Sequence, residues 1–455
     1  MEADIMKILF VSAEVHPFVK TGGLGDVSFA LPKALKKAGV DCRVILPKYM
    51  EIPAYFKDNM RPIMQIKDYF SIEYLEYDGV QFYFVVNEEM FGREGVYGHE
   101  DDTARFSLFC RAVLNFIDTS DEFVPDIIHC NDWHTGLIPK LLKEKYNYND
   151  KMKRIKTMLT IHNLRYQGFL GGEYEEGASF MKFGITYADH ITAVSKTYAE
   201  EITRPELGEG LDELLRSRGK NLTGIPNGLD TEFYNPETDD DIFEKYNSGD
   251  LPAKKENKKE LQRYLGLDKM EGVPIIAMVS RLCSEKGFDL VAKIMKELLN
   301  MDLQLIILGT GDKKLEQFFD EYSLTDPEMV SCNILFSTKL AKKIYAGSDI
   351  FLMPSRYEPC GLSQLIALRY GTVPIVRETG GLKDTVEKYD EDRDSGTGFT
   401  FRDYDAKELL DTIKYAISVY KDKEKWKKLV VRGMNIDNSW DNSSKMYMDL
   451  YESLL

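Results

Sequence analysis

The sequence predicts an α/β protein made of two parallel-sheet domains, and three observations carry that expectation. At 455 residues the chain is too long for one ordinary core. Short apolar runs that read as buried strands alternate with helix-period segments, twice over. Finally, the turn Lys20-Thr21-Gly22-Gly23-Leu24-Gly25-Asp26, between a strand and a helix, has a near-echo in Glu378-Thr379-Gly380-Gly381-Leu382-Lys383-Asp384. Glycines at such a junction let backbone amides approach a ligand, and a helix N-terminus favours an anion there. One copy in each half implies two nucleotide-fold halves facing one cleft.

In the first half, residues 7–13 (KILFVSA) read as a buried strand, 26–38 as the helix after it and 40–46 as the next strand. Residues 69–86 are rich in aromatic and β-branched side chains around Asp78-Gly79, the pattern of a β-hairpin. Further buried strands are expected at 126–130, 157–161 and 188–194, with Ser195 capping the helix that follows. Pro226-Asn227-Gly228 is a strong turn signal, and residues 235–259 are polar, charged and proline-containing. The first domain is therefore expected over 1–235 and a linker over 236–272. A second series of strands is expected at 274–280, 303–308, 334–336, 350–353 and 373–376, within a domain spanning 273–438. Residues 439–455 read as an amphipathic helix whose apolar stripe holds Met446, Met448, Leu450, Tyr451 and Leu455.

The formal charge of −16 argues against a nucleic-acid binder or a protein held on anionic lipid. It suits a neutral macromolecule, or a small anion caught by a few local basic groups. The six cysteines are scattered without a CxxC pair, which favours reduced thiols and a cytoplasmic setting. Glu2, Asp4 and Glu14 surround the first apolar run, which is wrong for a signal peptide. No apolar run approaches the ~20 residues that cross a bilayer.

The candidate chemistry sits at strand ends. Lys20 beside Gly22, Gly23 and Gly25 is either a phosphate lysine or a solvated lysine at a tight turn. Arg281 and Lys286, in VSRLCSEKG, follow the first strand of the second half. Two fixed cations there suit a diphosphate leaving group, because negative charge grows on it as the bond breaks. Glu358, in RYEPCGLSQ, lies between a strand and a helix, where a carboxylate beside free amides binds sugar hydroxyls or faces an oxocarbenium ion. Alternatively it is an acid placed by a helix dipole. Cys360 reads as a small buried side chain, with no histidine paired to it in sequence. His129, Asp132, Trp133 and His134 mimic a metal cluster, but they are spread over a strand end and a turn, so no metal is expected. His162 and Asn163 lie just after a strand, and polar residues gathered at several such ends make a site. The acidic runs Asp239-Asp240-Asp241 and Asp390-Glu391-Asp392 read as solvated loops.

Together these segments closely resemble the bacterial glycogen synthase and plant starch synthase family, retaining glucosyltransferases of the GT-B type. The match runs through KILFVSAEVHPFVKTGGLGDV, HCNDWHTGL, TIHNLRYQG, PNGLD, VSRLCSEKGFDL, MPSRYEPCGLSQLIALRYGTVPIVRETGGLKDTV and the terminal SWDNSSKMY. It covers nearly the whole chain in order. The resemblance implies transfer of glucose from ADP-glucose to the non-reducing 4-hydroxyl of an α-1,4-glucan such as glycogen, amylose or a maltooligosaccharide. It implies no cofactor and no metal.

The resemblance also assigns roles. Lys20, Arg281 and Lys286 would bind the nucleotide phosphates, with Gly23 in the first turn and Phe336 beside adenine. Glu358 and the amides of Cys360 and Gly361 would hold the donor glucose, with Leu362 and Ser363 amides near phosphate. Asp26, Tyr97, Asp132, Trp133, His162, Asn163 and Asn227 would line a donor–acceptor cleft. The terminal helix would cross back onto the first domain. Two departures stand out: Phe336 replaces a tyrosine found in some bacterial members, and Arg165 replaces the usual alanine of HNLAYQG. A transferase acting on a small acceptor is the nearest alternative, and a catalytically silent glucan binder another. A dehydrogenase fits poorly, because the first turn lacks GxGxxG spacing.

Overall fold

The computed structural model describes residues 5–66, 69–120, 122–148, 150–171 and 177–455. Glu2 and Asp4, read above as evidence on targeting, lie outside the described residues. The chain divides into two compact units, Met1–Gly228 with Trp440–Leu455, and Leu229–Ser439.

In the first unit, nine strands among the described residues form one sheet. They are β1 (Lys7–Val11), β2 (Asp41–Pro47), β3 (Arg61–Ile66), β4 (Phe70–Tyr77), β5 (Val80–Val86), β6 (Ile127–Asn131), β7 (Lys156–Ile161), β8 (His190–Ala193) and β9 (Leu222–Gly224). Their order is β3-β4-β5-β2-β1-β6-β7-β8-β9. From β5 through β9 every pairing is parallel, while β4 and β3 are antiparallel additions at one edge. Ile8 to Val11 are fully buried without alternation, because helices cover both faces of a parallel sheet. Asp78 and Gly79 both take positive φ at the tip of the β4–β5 hairpin, the geometry that matches strand twist. Since β1, β6 and β7 are neighbours, the loops leaving their carboxyl ends are neighbours too. Those loops carry Lys20, Asp132 and His162.

The helix Trp440–Leu454 belongs to this unit and lies against the helix Gly23–Lys37. Its buried stripe is Trp440, Ser444, Tyr447 and Tyr451, whereas Met446 and Leu455 are exposed. The expected stripe is thus rotated: tyrosines and serines form the packed face, and the hydroxyls of Ser443, Ser444 and Tyr451 find partners there. His129 Nδ1 lies 2.6 Å from the Tyr451 hydroxyl and its Nε2 2.6 Å from Thr160 Oγ1. Burial pushes the His129 pKa down to about 3, so the ring is a neutral core bridge with both nitrogens engaged.

In the second unit the strands are β10 (Ile275–Val279), β11 (Gln304–Leu308), β12 (Val330–Asn333), β13 (Ile350–Met353), β14 (Val373–Arg377) and β15 (Phe399–Phe401). They run β12-β11-β10-β13-β14-β15, all parallel. One strand differs from expectation. Residues 334–336 are loop, and the chain pairs with β11 through Val330–Asn333, just before the apolar triplet. Phe336 is 88% exposed there. The apolar run misled because an edge strand needs only partial cover, so Ser331, Cys332 and Asn333 can form it.

The expected linker is also corrected. Residues 236–272 belong to the second unit and contain the helix Leu251–Leu265, which ends on Gly266 at φ 74°. Lys258 is buried and donates to Asp349 Oδ2 at 2.7 Å, to Val273 O and to the Tyr420 hydroxyl. Asp239, read as part of a solvated acidic run, is buried against Lys342 at 3.1 Å and accepts from the Tyr370 hydroxyl. Polar composition suggested a linker because hydropathy cannot see charges buried as pairs. Glu391 and Asp392 of the other run are exposed, as expected.

Candidate active site

Two loops build the site in the second unit. After β10 the chain passes Ser280-Arg281 and makes a single turn, Ser284–Lys286, closed by Gly287 at φ 80°. After β13 it passes Pro354-Ser355 and turns at Gly361, φ 72°, into the helix Ser363–Arg369. The loops enclose a cavity of about 170 Å³ lined by Arg281, Lys286, Glu358, Gly361, Leu362 and Ser363, among others. Lys286 Nζ donates to Glu358 Oε2 at 2.6 Å, and Ser355 Oγ donates to the same oxygen at 3.1 Å. Arg281 is exposed at the cavity wall, whereas Cys360 is buried. Phe336 is outside the lining residues. One wall thus carries two cations and a nearly buried carboxylate, suited to a ligand that is anionic at one end and hydroxyl-rich at the other.

The second glycine turn supports this loop. A Cβ on Gly380 (φ 44°) would lie 2.0 Å from the Glu358 carbonyl oxygen, and one on Gly381 2.0 Å from that of Cys360. Gly381 N donates to the carbonyls of Glu358 at 3.2 Å and Pro359 at 3.1 Å. The amide of Gly381 is therefore spent inside the protein, and the glycines serve backbone approach.

The first turn has an internal partner of its own. Glu14, just after β1 and only 3% exposed, accepts hydrogen bonds from the amides of Thr21 and Gly22. An internal carboxylate thus occupies part of the anion-binding concavity that the sequence offers to phosphate. Burial raises the Glu14 pKa against those two hydrogen bonds. Lys20 Nζ pairs with Asp26 Oδ1 at 2.7 Å, and both side chains are part-exposed. Gly23 is the first residue of the helix.

Asp132, after β6, takes φ 55° and turns its Oδ1 toward two amides after β7, His162 N at 2.7 Å and Asn163 N at 3.1 Å. Burial pushes its pKa up to about 7, the two amides pulling the other way and the Glu14 charge adding to the rise. Asn131 donates through Nδ2 to the carbonyls of Val11 and His129, so its Oδ1 faces His162 Nε2 at 2.9 Å. That arrangement places the ring proton on Nε2 and leaves Nδ1 with a lone pair. Burial holds the His162 pKa near 3, and the ring is neutral. Tyr97 stacks on His134 at 4.7 Å, and His134 packs on Trp133 at 4.2 Å. Gly168 (φ 61°) leaves no room for a Cβ beside the Trp133 ring. The Tyr97 hydroxyl and Asn227 Oδ1 are buried polar atoms without a hydrogen-bond partner among the described residues.

The structure thus gathers Arg281, Lys286, Glu358, Gly361, Leu362 and Ser363 in one unit. In the other, Asp132 holds the His162 and Asn163 amides, and Glu14 holds the amides of Thr21 and Gly22 in the Lys20 turn. Sequence reasoning missed Glu14, Asn131 and Ser355 as site residues. Each is a single polar residue beside a strand end, and only its spatial partner marks it out.

Two parallel α/β units, one holding a cation-and-carboxylate cavity at its strand ends, define a glycosyltransferase of the GT-B fold. Sucrose-phosphate synthase from Thermosynechococcus elongatus shares that fold, with a TM-score of 0.65 at 18% identity over 99% of each chain. Residues 7–217 match the starch synthase catalytic domain and residues 265–430 the glycosyl transferases group 1 domain. The chain is 50% identical to a glycogen synthase of Clostridium novyi (strain NT) and 48% identical to one of Clostridioides difficile (strain 630), over at least 99% of each protein. The catalytic domain of starch synthase IV from Arabidopsis thaliana, bound to ADP and acarbose, is similar at a TM-score of 0.90 and 32% identity over 99% of each chain. This chain belongs to the glycogen and starch synthase family.

Proposed function

We propose that the protein is an ADP-glucose:α-1,4-glucan 4-α-glucosyltransferase that retains the anomeric configuration. The observation that carries this reading is the Lys286–Glu358 pair, 2.6 Å apart in a cavity whose wall also holds Arg281. Lys286 neutralises Glu358 within the cavity. A diphosphate would draw Lys286 and Arg281 toward its oxygens, freeing the Glu358 carboxylate for the glucose hydroxyls. As the bond between glucose and phosphate breaks, charge growing on the leaving phosphate meets those two cations, and Lys20 would bind the same phosphates. The acceptor 4-hydroxyl attacks from the face the phosphate leaves, giving up its proton to that phosphate. Glu358 and the backbone at His162 would steady the positive charge on the sugar. Tyr97, Asp132, Trp133 and Asn163 would hold the glucan, with Asp26 and Asn227 beside them. The ADP and acarbose bound by the Arabidopsis relative support a nucleotide at one end of the site and a glucan-like chain at the other.

The positive charge comes from side chains in this reading, so no metal takes part. Six cysteines scattered without a CxxC pair suit a reducing, cytoplasmic compartment. Among the described residues no helix is long and apolar enough to cross a membrane. The test is initial-rate transfer to glycogen from ADP-glucose and from UDP-glucose, each with and without a chelator. Faster transfer from ADP-glucose, unaffected by chelator, and lengthened α-1,4 chains are expected. Product confined to a small acceptor would overturn the polymer reading, and Glu358→Ala with parental turnover would overturn the site.

A further inference from the structure

The loops that carry Lys286 and Glu358 follow different strands, β10 and β13, so something must fix their spacing. Part of the connection is direct: Arg356 N donates to Glu285 O at 2.9 Å, and Gly287 lies so close to Pro354 that a Cβ would sit 2.2 Å from its carbonyl oxygen. The rest comes from two side chains that do not line the cavity. Arg377, the last residue of β14, donates Nε to Ser355 O at 2.8 Å, Nη2 to Arg356 O at 2.5 Å and Nη1 to Arg402 O at 3.2 Å. Its three guanidinium nitrogens thus fasten the start of the Glu358 loop to the far side of the sheet. Tyr404, two residues beyond Arg402, places its hydroxyl 2.7 Å from Ser284 O and against the Asp289 carboxylate, on the Lys286 side. Its ring carries the Arg356 guanidinium at 4.2 Å.

We infer that Arg377 and Tyr404 are positioning residues that hold the Lys286 turn and the Glu358 loop at working separation. Arg377 grips the carbonyls on either side of the Ser355–Arg356 peptide, and Ser355 is itself the second donor to Glu358. Tyr404 ties Ser284, two residues before Lys286, to Arg356, two residues before Glu358. The planar fork of Arg377 matters because its three nitrogens reach carbonyls spread over one plane at fixed spacing, a span that a single ammonium nitrogen does not cover. Both contacts are made wholly between groups of the protein, so the spacing of the two loops is set in folding.

The inference rests on reading this cavity as the donor site, and the experiment separates the two. ADP binding by calorimetry and donor and glycogen kinetics are measured for the parent, Arg377→Met, Arg377→Lys and Tyr404→Phe, with thermal midpoints alongside. If the parent binds no ADP, the donor-site reading fails and this inference with it. With the parent active, Arg377→Met is expected to lose roughly 100-fold in kcat/KM for ADP-glucose, the effect of a misplacement near 1 Å. ADP affinity should fall by about tenfold or more, with the KM for glycogen within about twofold. Arg377→Lys should recover part of the loss, and Tyr404→Phe should show the same donor-specific pattern more weakly. Donor kinetics of Arg377→Met within about threefold of the parent would overturn the inference. So would equal losses toward donor and glycogen that track a collapsed thermal midpoint. Should Arg377→Met fail to fold, the milder Tyr404→Phe carries the same comparison, and an unchanged ADP affinity there overturns it.

Discussion

Gly380→Ala tests whether the second glycine turn exists to support Glu358. A Cβ at this position would lie 2.0 Å from the Glu358 carbonyl oxygen and 3.1 Å from that of Pro359, while real Cβ contacts essentially never fall under 3.0 Å. The obstacle is backbone, so it cannot rotate away, and the Glu358 loop must retreat by about 1 Å. Holding a non-glycine residue at φ 44° adds strain on the order of 1–2 kcal/mol. A retreat of that size at the group proposed to hold the sugar is worth roughly 100-fold in rate, or about 2.7 kcal/mol of barrier. The assay is ADP-glucose-dependent glucose transfer to glycogen, with ADP binding measured in parallel. Gly272→Ala is the control, since its Cβ would meet nothing within 4 Å. Near-parental turnover in Gly380→Ala, equal to that of Gly272→Ala, would show that the turn and the Glu358 loop are not mechanically coupled.

Three further substitutions probe the first unit. Asp132 has its pKa raised from 3.8 to about 7, so between those values the folded chain binds more protons than the unfolded one and stability falls as pH rises. Asp132→Asn removes that burden and keeps an oxygen for the His162 and Asn163 amides. Its stability advantage over the parent should therefore grow from pH 4 to pH 7 and level off above; urea melts that show no pH-dependent difference would contradict this. Glu14→Ala leaves the amides of Thr21 and Gly22 without their carboxylate, a loss of about 2 kcal/mol or more. A lowered thermal midpoint and slower transfer are expected together, because the same turn carries Lys20. Tyr451→Phe strands His129 Nδ1 in the core and should cost about 1–3 kcal/mol in thermal unfolding with kcat unchanged.

The parallel strands of both halves were legible because buried strands in α/β folds are continuous apolar runs, as in Ile8–Val11 and Ile350–Met353. Glu358, Lys286 and Arg281 were legible through position, each just beyond such a run. What stayed hidden is polar and long-range. The Lys258–Asp349 and Lys342–Asp239 pairs join residues about a hundred positions apart, so the segment holding Lys258 and Asp239 read as solvated. Glu14 was hidden for a different reason: nothing local in SAEVHP says that its carboxylate will fill the turn seven residues on. The β12 edge strand shows the converse error, an apolar triplet that solvent nevertheless reaches.

The C-terminal helix has a consequence for the order of folding. Tyr447 and Tyr451 are fully buried in the unit that begins at the N-terminus, with Tyr451 closing a hydrogen-bonded chain through His129 and Thr160. Domains usually mature from the N-terminus as the chain emerges during synthesis. Here the first unit cannot complete its core until the last 16 residues have been made, whereas Leu229–Ser439 holds all of its own sequence before then. A nascent chain shortened before Trp440 would expose the apolar wall around Phe10 and His129, a surface prone to aggregation. The later-made unit can therefore finish first, and the emergence of Trp440–Leu455 is what completes the earlier one.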